Sequence, residues 1–518
     1  MDHPVPRHPV PVTAGPAPAA ATEPGFDTLP AGELALAALE RARRLGASYA
    51  DVRLRRVRAL RERVRDAQPE GTQESVETGA GVRVLVDGTW GFASGVDLSP
   101  PGVAELAARA CELARTLRPL RGAPPRLAPE PVHGPAVWES PCEVDPFAVP
   151  AAERTALLAR WCAILRDGGA DLAEAYLQVF RESTVYHDSE GRRIRQRRTW
   201  LHPMVVGFRI DADSGTFETM RTLGPPAARG WEYLTGTGWD WAGELARLPG
   251  LLAEKLAAPS VEPGEYDLVI DPTNLWLTIH ETVGHATELD RILGREAAFA
   301  GTSFVTPDDI GSLRYGSPAM NVVADRTTPH GLATIGYDDD GVAARSWPLV
   351  RDGVLVGTQH DRQTAGAAGL DRSTGCAYAE SYRHLPVQRM PNVSLRPAPD
   401  GPDTHELIGR VRDGLYVVGD NSFSIDMARV NFQFTGQRFY RIRDGRLAGQ
   451  VRDAAYTGTT LEFWRSLEAV GGPQTWLLSG AGQCGKAQPL QLAAAGHGCP
   501  SALFRGVRVT STRTEAPA

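Results

Sequence analysis

His280-Glu281-Thr282-Val283-Gly284-His285 puts two imidazoles and one carboxylate within six residues. A metallohydrolase needs those parts: neutral nitrogen ligands for zinc, and a carboxylate that takes a proton from metal-held water. The common zinc-protease spacing is H-E-x-x-H, with the histidines four apart on one helix face. Here they are five apart, H-E-x-x-x-H. On an α-helix five residues turn through about 500°, which leaves the two rings about 140° apart. Either the motif is accidental, or the helix carries one extra residue in a π-type bulge, a distortion that recurs at functional sites. Gly284 would ease such a bulge. Glu281, beside the first histidine, is the candidate general base. Glu288 lies just beyond and reads two ways, as a carboxylate orienting a ligand imidazole or as an ordinary helix-surface acid.

The elements around this motif follow from hydrophobic period. Leu34, Ala38, Ala42 and Leu45 form one stripe of a helix over 31–45, ended by Gly46. Ala50, Val52 and Leu54 alternate with charged residues as in a half-buried strand. Val82, Val84 and Val86 repeat the pattern, and Asp87-Gly88 turns the chain into Trp90-Gly91-Phe92. Further helices are expected over 103–117 and 151–165, and mostly strands over 174–222. Within that stretch Arg192, Arg193, Arg195, Arg197 and Arg198 read as the wet face of a strand rather than a basic strip for an acidic partner. A helix over 241–256 is expected to break or kink at Pro249-Gly250. Residues 257–264 read as a linker. Tyr266 to Asp271 is a strand that Pro272 ends, and the helix carrying the motif begins at about Thr273. Short strands with Asp-Gly turns fill the remainder.

Composition sets the frame. The 518 residues are 42% hydrophobic and 23% charged, as expected of a globular chain of two to four domains. A net charge of −7 argues against a nucleic-acid binder working by bulk electrostatics. No apolar run suits a membrane span. Cys111, Cys142, Cys162, Cys376, Cys484 and Cys499 are scattered, without a C-x-x-C pair, which points to a reducing cytoplasm. Residues 1–28 are rich in Pro and Ala and read as a disordered tail rather than a signal peptide. The resulting division is a tail at 1–28, an N-terminal α+β region of one or two subdomains at 29–256, a linker at 257–264, a C-terminal domain at 265–510 and a tail at 511–518.

Several separated segments together resemble the TldD/PmbA family of zinc peptidases, in its catalytic TldD-type members. They are Gly81 to Leu85 with Trp90-Gly91-Phe92, the strand Tyr266 to Pro272, and His280 to His285 followed by Glu288 and Asp290. Downstream come Asp339-Asp340-Gly341-Val342, the stretch from Leu355 to Ala365, Pro386 to Asn392, and Cys484-Gly485-Lys486. The chain departs from the family over Asp420 to Asp426, where members are often Gly-rich, at Ser511-Thr512, and around Tyr378-Ala379.

The resemblance implies an α+β fold, with an N-terminal α/β sandwich-like region followed by a strand-rich C-terminal domain carrying the metal-binding helix. It implies one Zn2+ per chain on His280, His285 and Cys484, with Cys499 the rival third ligand. It implies a zinc-dependent metallopeptidase acting on unfolded or extended peptides, in which Glu281 takes a proton from the zinc-bound water that attacks the carbonyl. Partners would be the peptide substrate and a second subunit, as a homodimer or a heterodimer with a related chain lacking the metal motif, with neither nucleic acid nor membrane involved. Tyr382, His384, Arg389 and His360 are unranked candidates for the oxyanion. The rival functions are a non-catalytic chamber-forming subunit, and a zinc hydrolase of a small amide.

Overall fold

The computed structural model describes residues 23, 25–120, 122–212 and 215–513. Most of the expected N-terminal tail, and residues 514–518 of the C-terminal one, lie outside the described residues. Glu23, Phe26 and Asp27, assigned to that tail by composition, are packed. Phe26 is buried among the first helices, and Asp27 accepts from Arg197 at 2.7 Å.

The N-terminal half is built on long strands. Tyr49–Arg65 lies between Gln68–Val86 and Leu172–Asp188, with Thr89–Gly95 on one flank and Arg193–Ile210 on the other. Strand alternation gives the sheet two different faces. Ala50, Val52, Leu54, Leu60 and Val64 point to helices Ala31–Arg44, Pro100–Leu117, Ala151–Asp167 and Trp241–Ala257. The last of these helices runs through Pro249 without a break, which removes one of the two outcomes expected there. The opposite face carries Arg53, Arg55 and Arg83 into the C-terminal half. Arg55 pairs with Asp339 at 2.6 Å, and Arg83 bridges Asp51 and Asp340 at 2.7 Å each.

The arginine strip at 192–198 is therefore a wet face only in part, at exposed Arg193 and half-exposed Arg195. Arg192, Arg197 and Arg198 are buried, paired with Asp188, Asp27 and Glu182. Half-burial was the correct reading of the pattern for an isolated sheet, but a second layer covers the polar side.

In the C-terminal half five strands close into a barrel: Gly264–Ile270, Ala502–Ser511, Ala454–Thr459, Asn431–Arg443 and Asp413–Ile425. All pairs are antiparallel except the closing one, Asp413–Ile425 with Gly264–Ile270. Closure leaves no edge among the five. The overall class is α+β, as the sequence implies. Helix Pro272–Ile279 leaves the first barrel strand, with Asp271 capping Thr273 and Pro272 in the first turn. All eight of its residues are buried, so its polar groups need partners. Asn274 donates to the Gly419 and Thr435 carbonyls of the barrel and accepts from Tyr456. The helix is thereby pinned across the barrel end.

Replacing Arg83 with Met would leave Asp51 and Asp340 buried without their cation. Breaking such a pair costs about 3–5 kcal/mol. We expect a loss of that size in chemical denaturation at pH 8. It should shrink toward pH 6, because burial already lifts the Asp51 carboxyl to about 6, and a protonated Asp51 needs no partner. A loss that does not change with pH would contradict this.

Candidate metal centre

The five-residue spacing is accommodated by a π-helical turn over His280–Gly284. The His285 N–H bonds to the His280 carbonyl five residues back, so one extra residue is absorbed and both rings face the same side. Their centroids are 4.6 Å apart with the planes at 78°.

A bulge frees carbonyls that the helix no longer satisfies, and side chains from elsewhere take them. Gln359 Nε2 donates to Gly284 O at 2.6 Å, and Tyr315 Oη donates to Thr282 O. Gly284 itself has ordinary helical dihedrals (φ −54°), so its value is space rather than backbone freedom. A Cβ there would lie 2.5 Å from Met390 Sδ.

The third group comes from the hairpin Leu477–Lys486/Gln491–Cys499. A one-residue bulge between Ala481 and Cys484 reorients the strand just before the thiol. Cys484 Sγ stands 3.3 Å from His285 Nε2, and the donor atoms of His280, His285 and Cys484 all lie within 4.8 Å of one another. Arg389 donates to the carbonyls of Cys484 and Gln491, which holds this part of the hairpin against the helix.

Each imidazole has its other nitrogen occupied. His285 Nδ1 is 2.8 Å from Glu288 Oε2. His280 Nδ1 is 2.7 Å from His497 Nε2, and His497 Nδ1 in turn donates to Val393 O at 2.9 Å. A carbonyl can only accept, so the relay assigns its protons: His497 carries its proton on Nδ1, and His280 donates from Nδ1. Both histidines of the motif are left with a lone pair on Nε2.

Burial holds the His285 imidazole down to about 4 and also lowers that of His280, so both are neutral near pH 7. Burial resists ionisation of Cys484; the opposing pull comes from His285, only in its protonated form, and from Arg389, and sets the thiol below its usual range. Burial likewise opposes charge on Glu288, yet Lys486 and Arg291 hold its carboxyl well below the usual range. Lys486 is fully buried, 3.0 Å from Glu288 and 2.7 Å from Asp290.

Two neutral nitrogens and a thiolate, with one position open, are the donors of a catalytic zinc site. Tetrahedral zinc separates such donors by about 3.3–3.7 Å, and the Cys484–His285 distance falls at the lower end. The residues present fit that metal.

Glu281 follows His280 in the bulge, nearly buried, with its Oε2 2.6 Å from Arg429 Nη1. Cys499 stands apart: its thiol donates to Pro272 O at the far end of the helix, and burial, then Asp271, pushes its pKa well up. The four residues considered for an oxyanion are engaged elsewhere. Tyr382 packs on Gly79 and Gly81. His384 meets Ser381, and His360 accepts from the Thr374 N–H. Arg389 serves the hairpin.

Reading the sequence missed His497, Arg291 and Arg429, and gave Lys486 no role. A histidine two residues before Cys499 and a lysine two after Cys484 were visible, but their partners are some 200 positions away in the chain.

Residues 263–511 match the PmbA/TldA metallopeptidase C-terminal domain, and residues 50–114 match domain 1 of the same group. A metalloprotease of Methanothermobacter thermautotrophicus is 29% identical over 469 residues, 90% of this chain and 96% of that one. A metalloprotease of Archaeoglobus fulgidus is 30% identical over 372 residues, 70% of this chain and 78% of that one. The crystal structure of TldE from Thermococcus kodakarensis shares the fold, with a TM-score of 0.67 at 16% identity over 91% of this chain and 99% of that one. The chain belongs to the TldD/PmbA family.

Removing a group that orients a ligand typically costs 10- to 100-fold in metal affinity. His497→Ala is expected to weaken zinc binding by about that factor in competition with a chromophoric chelator, and Cys499→Ser to leave it unchanged. The reverse pattern would move the centre to the other cysteine.

Proposed function

We propose that this chain is a zinc-dependent peptidase that cleaves extended peptide segments. The observation that carries the reading is the meeting of two imidazoles, each with Nε2 free, and a thiol biased toward thiolate, beside a carboxylate from the same turn. His280, His285 and Cys484 would hold one zinc per chain. A zinc ion so held supplies a Lewis acid and brings the pKa of bound water toward about 7. Glu281 accepts one proton as water adds to the peptide carbonyl, then returns it to the amide nitrogen as the C–N bond breaks, leaving a carboxylic acid and an amine that exchange the remaining proton to become carboxylate and ammonium. Glu288 and His497 keep the imidazoles in the right tautomer throughout.

An extended substrate suits the surroundings. Strand Leu477–Lys486 pairs only with Gln491–Cys499 among the described residues, so its other edge offers backbone groups to an added strand. A cavity of about 210 Å³ lies beside Ser479 to Gly482, bounded by Trp276, His202 and Leu223. Trp276, one wall of this cavity, sits edge-on to His280 and stacks on His497.

We also infer a two-subunit assembly, with a second copy or a related chain lacking the motif. The likeness to TldE supports this. All six cysteines are unpaired, which supports a cytoplasmic setting.

Glu281→Gln keeps the shape and loses the base. The variant is expected to retain about one equivalent of zinc by elemental analysis and to lose at least about 10²-fold in peptide hydrolysis. Wild-type activity in that variant would remove Glu281 from the chemistry. A companion assay presents one cleavable sequence as a free peptide and inside a stable folded host. Added-strand binding needs unpaired backbone groups, so only the free peptide should be cut. Equal rates, with the host shown to stay folded, would favour an open surface cleft.

A further inference from the structure

A carbonyl under attack needs a partner for the negative charge that develops on its oxygen. Resting on the peptidase reading above, we propose that Arg429 binds that oxygen and stabilises the oxyanion.

The residue is placed for it. Arg429 sits in the turn between barrel strands Asp413–Ile425 and Asn431–Arg443 and reaches the metal helix at Glu281, 2.6 Å away. Its turn is held from three directions. The Asp426 carboxylate accepts from the N–H groups of Ala428, Val430 and Asn431. Thr302 N–H donates to Met427 O at 2.8 Å, and Thr460 Oγ1 donates to Arg429 O at 2.6 Å. Within this frame Arg429 has φ +66°, a left-handed conformation that is unfavourable for a residue with a Cβ. The surrounding contacts hold the guanidinium at Glu281 despite that cost.

The guanidinium also has capacity to spare. It carries five N–H donors in a planar fork and does not lose its proton in proteins. Glu281 takes one and the Ala300 carbonyl, 3.3 Å from Nη2, takes another. Nε is buried with no hydrogen-bond partner among the described residues. Among the other cations around the centre, Arg291 is committed to Glu288 and Ala300 O, and Lys486 to Glu288 and Asp290; Arg389 also has an Nε without a partner among the described residues, but its terminal nitrogens serve two hairpin carbonyls rather than Glu281. Arg429 can therefore keep Glu281 oriented and still offer a donor to the substrate. No proton changes hands at Arg429; its part is electrostatic.

The test uses the zinc-loaded full chain, together with any subunit it needs for activity. Glycine accepts φ +66° without strain, so Arg429→Gly removes the side chain and spares the turn. The measurements are zinc content, thermal melting, kcat and KM for an unstructured peptide, and the affinity of a phosphinic peptide of the same sequence, whose tetrahedral phosphorus mimics the addition step.

We expect unchanged zinc and melting, kcat lower by about 10²–10³ with KM within about threefold, and phosphinic-peptide affinity lower by a similar factor. Added guanidinium ion should restore part of the rate. Should Arg429→Gly melt early, Arg429→Lys carries the same test, since a point charge without the fork should lose at least about tenfold in both kcat and phosphinic-peptide affinity. Either folded variant with wild-type kcat overturns the proposal. So does a fall in kcat with phosphinic-peptide affinity unchanged, which would make Arg429 a positioning residue for Glu281. A wild-type chain that holds zinc but neither cleaves peptide nor binds the phosphinic peptide overturns the peptidase reading, and this assignment with it.

Discussion

A single backbone hydrogen bond, from the His285 N–H to the His280 carbonyl, sets what the centre can be. With an ordinary helical bond four residues back, the rings would diverge by about 140° and share nothing. Much of the surrounding structure supports that one irregular turn. Gln359 and Tyr315 satisfy its stray carbonyls, and the absent side chain of Gly284 leaves room for Met390. The Arg389-to-Asn392 segment then serves the centre at successive positions. Arg389 fixes the hairpin that brings Cys484, and Met390 fills the space against the bulge. Asn392 holds the 325–334 loop, and the strand it begins presents Val393 O to His497. A short signature thus acts through packing and hydrogen bonds, without supplying a metal ligand.

Charge is managed by the same economy of contacts. Unpaired charges in so buried a site would be expensive. Glu288 and Asp290 share Lys486, Arg291 adds to Glu288, and Glu281 meets Arg429. Two neutral imidazoles with one thiolate leave a divalent ion with one net positive charge, enough to polarise a carbonyl. The thiolate donates more electron density than a third imidazole would, which tempers the Lewis acidity. That tempering makes a second electrophile such as Arg429 chemically reasonable.

Much of this could be read from the chain itself, because local rules governed it. The histidine spacing on a helix allowed an accidental motif or a π-bulge, and the bulge is there. Asp87-Gly88, Asp352-Gly353 and Asp444-Gly445 turn with positive φ at both residues, as hairpin turns of that composition do. Asp413-Gly414 looks the same in sequence but begins a barrel strand, because pairing with Gly264–Ile270 and Asn431–Arg443 outweighs turn preference. The arginines at 192–198 were misjudged for a similar reason: periodicity shows which face is polar, not whether another domain covers it. His497 and Arg429 gave no local signal. Each matters through a partner about 150 to 220 residues away, and no spacing rule spans that distance. Gly284 was picked out for the wrong property, since its dihedrals are ordinary and its neighbour is what excludes a side chain.

The central claim is that one metal is held by two imidazole nitrogens and the Cys484 sulfur. Zinc X-ray absorption on the purified full chain, alongside Cys484→Ala and Cys499→Ala, tests it directly. The account predicts one sulfur at about 2.3 Å and nitrogen or oxygen neighbours at about 2.0–2.1 Å, including two with imidazole scattering. The sulfur shell should vanish in Cys484→Ala and persist in Cys499→Ala. A wild-type spectrum without sulfur, or a sulfur shell that survives loss of Cys484, would contradict it.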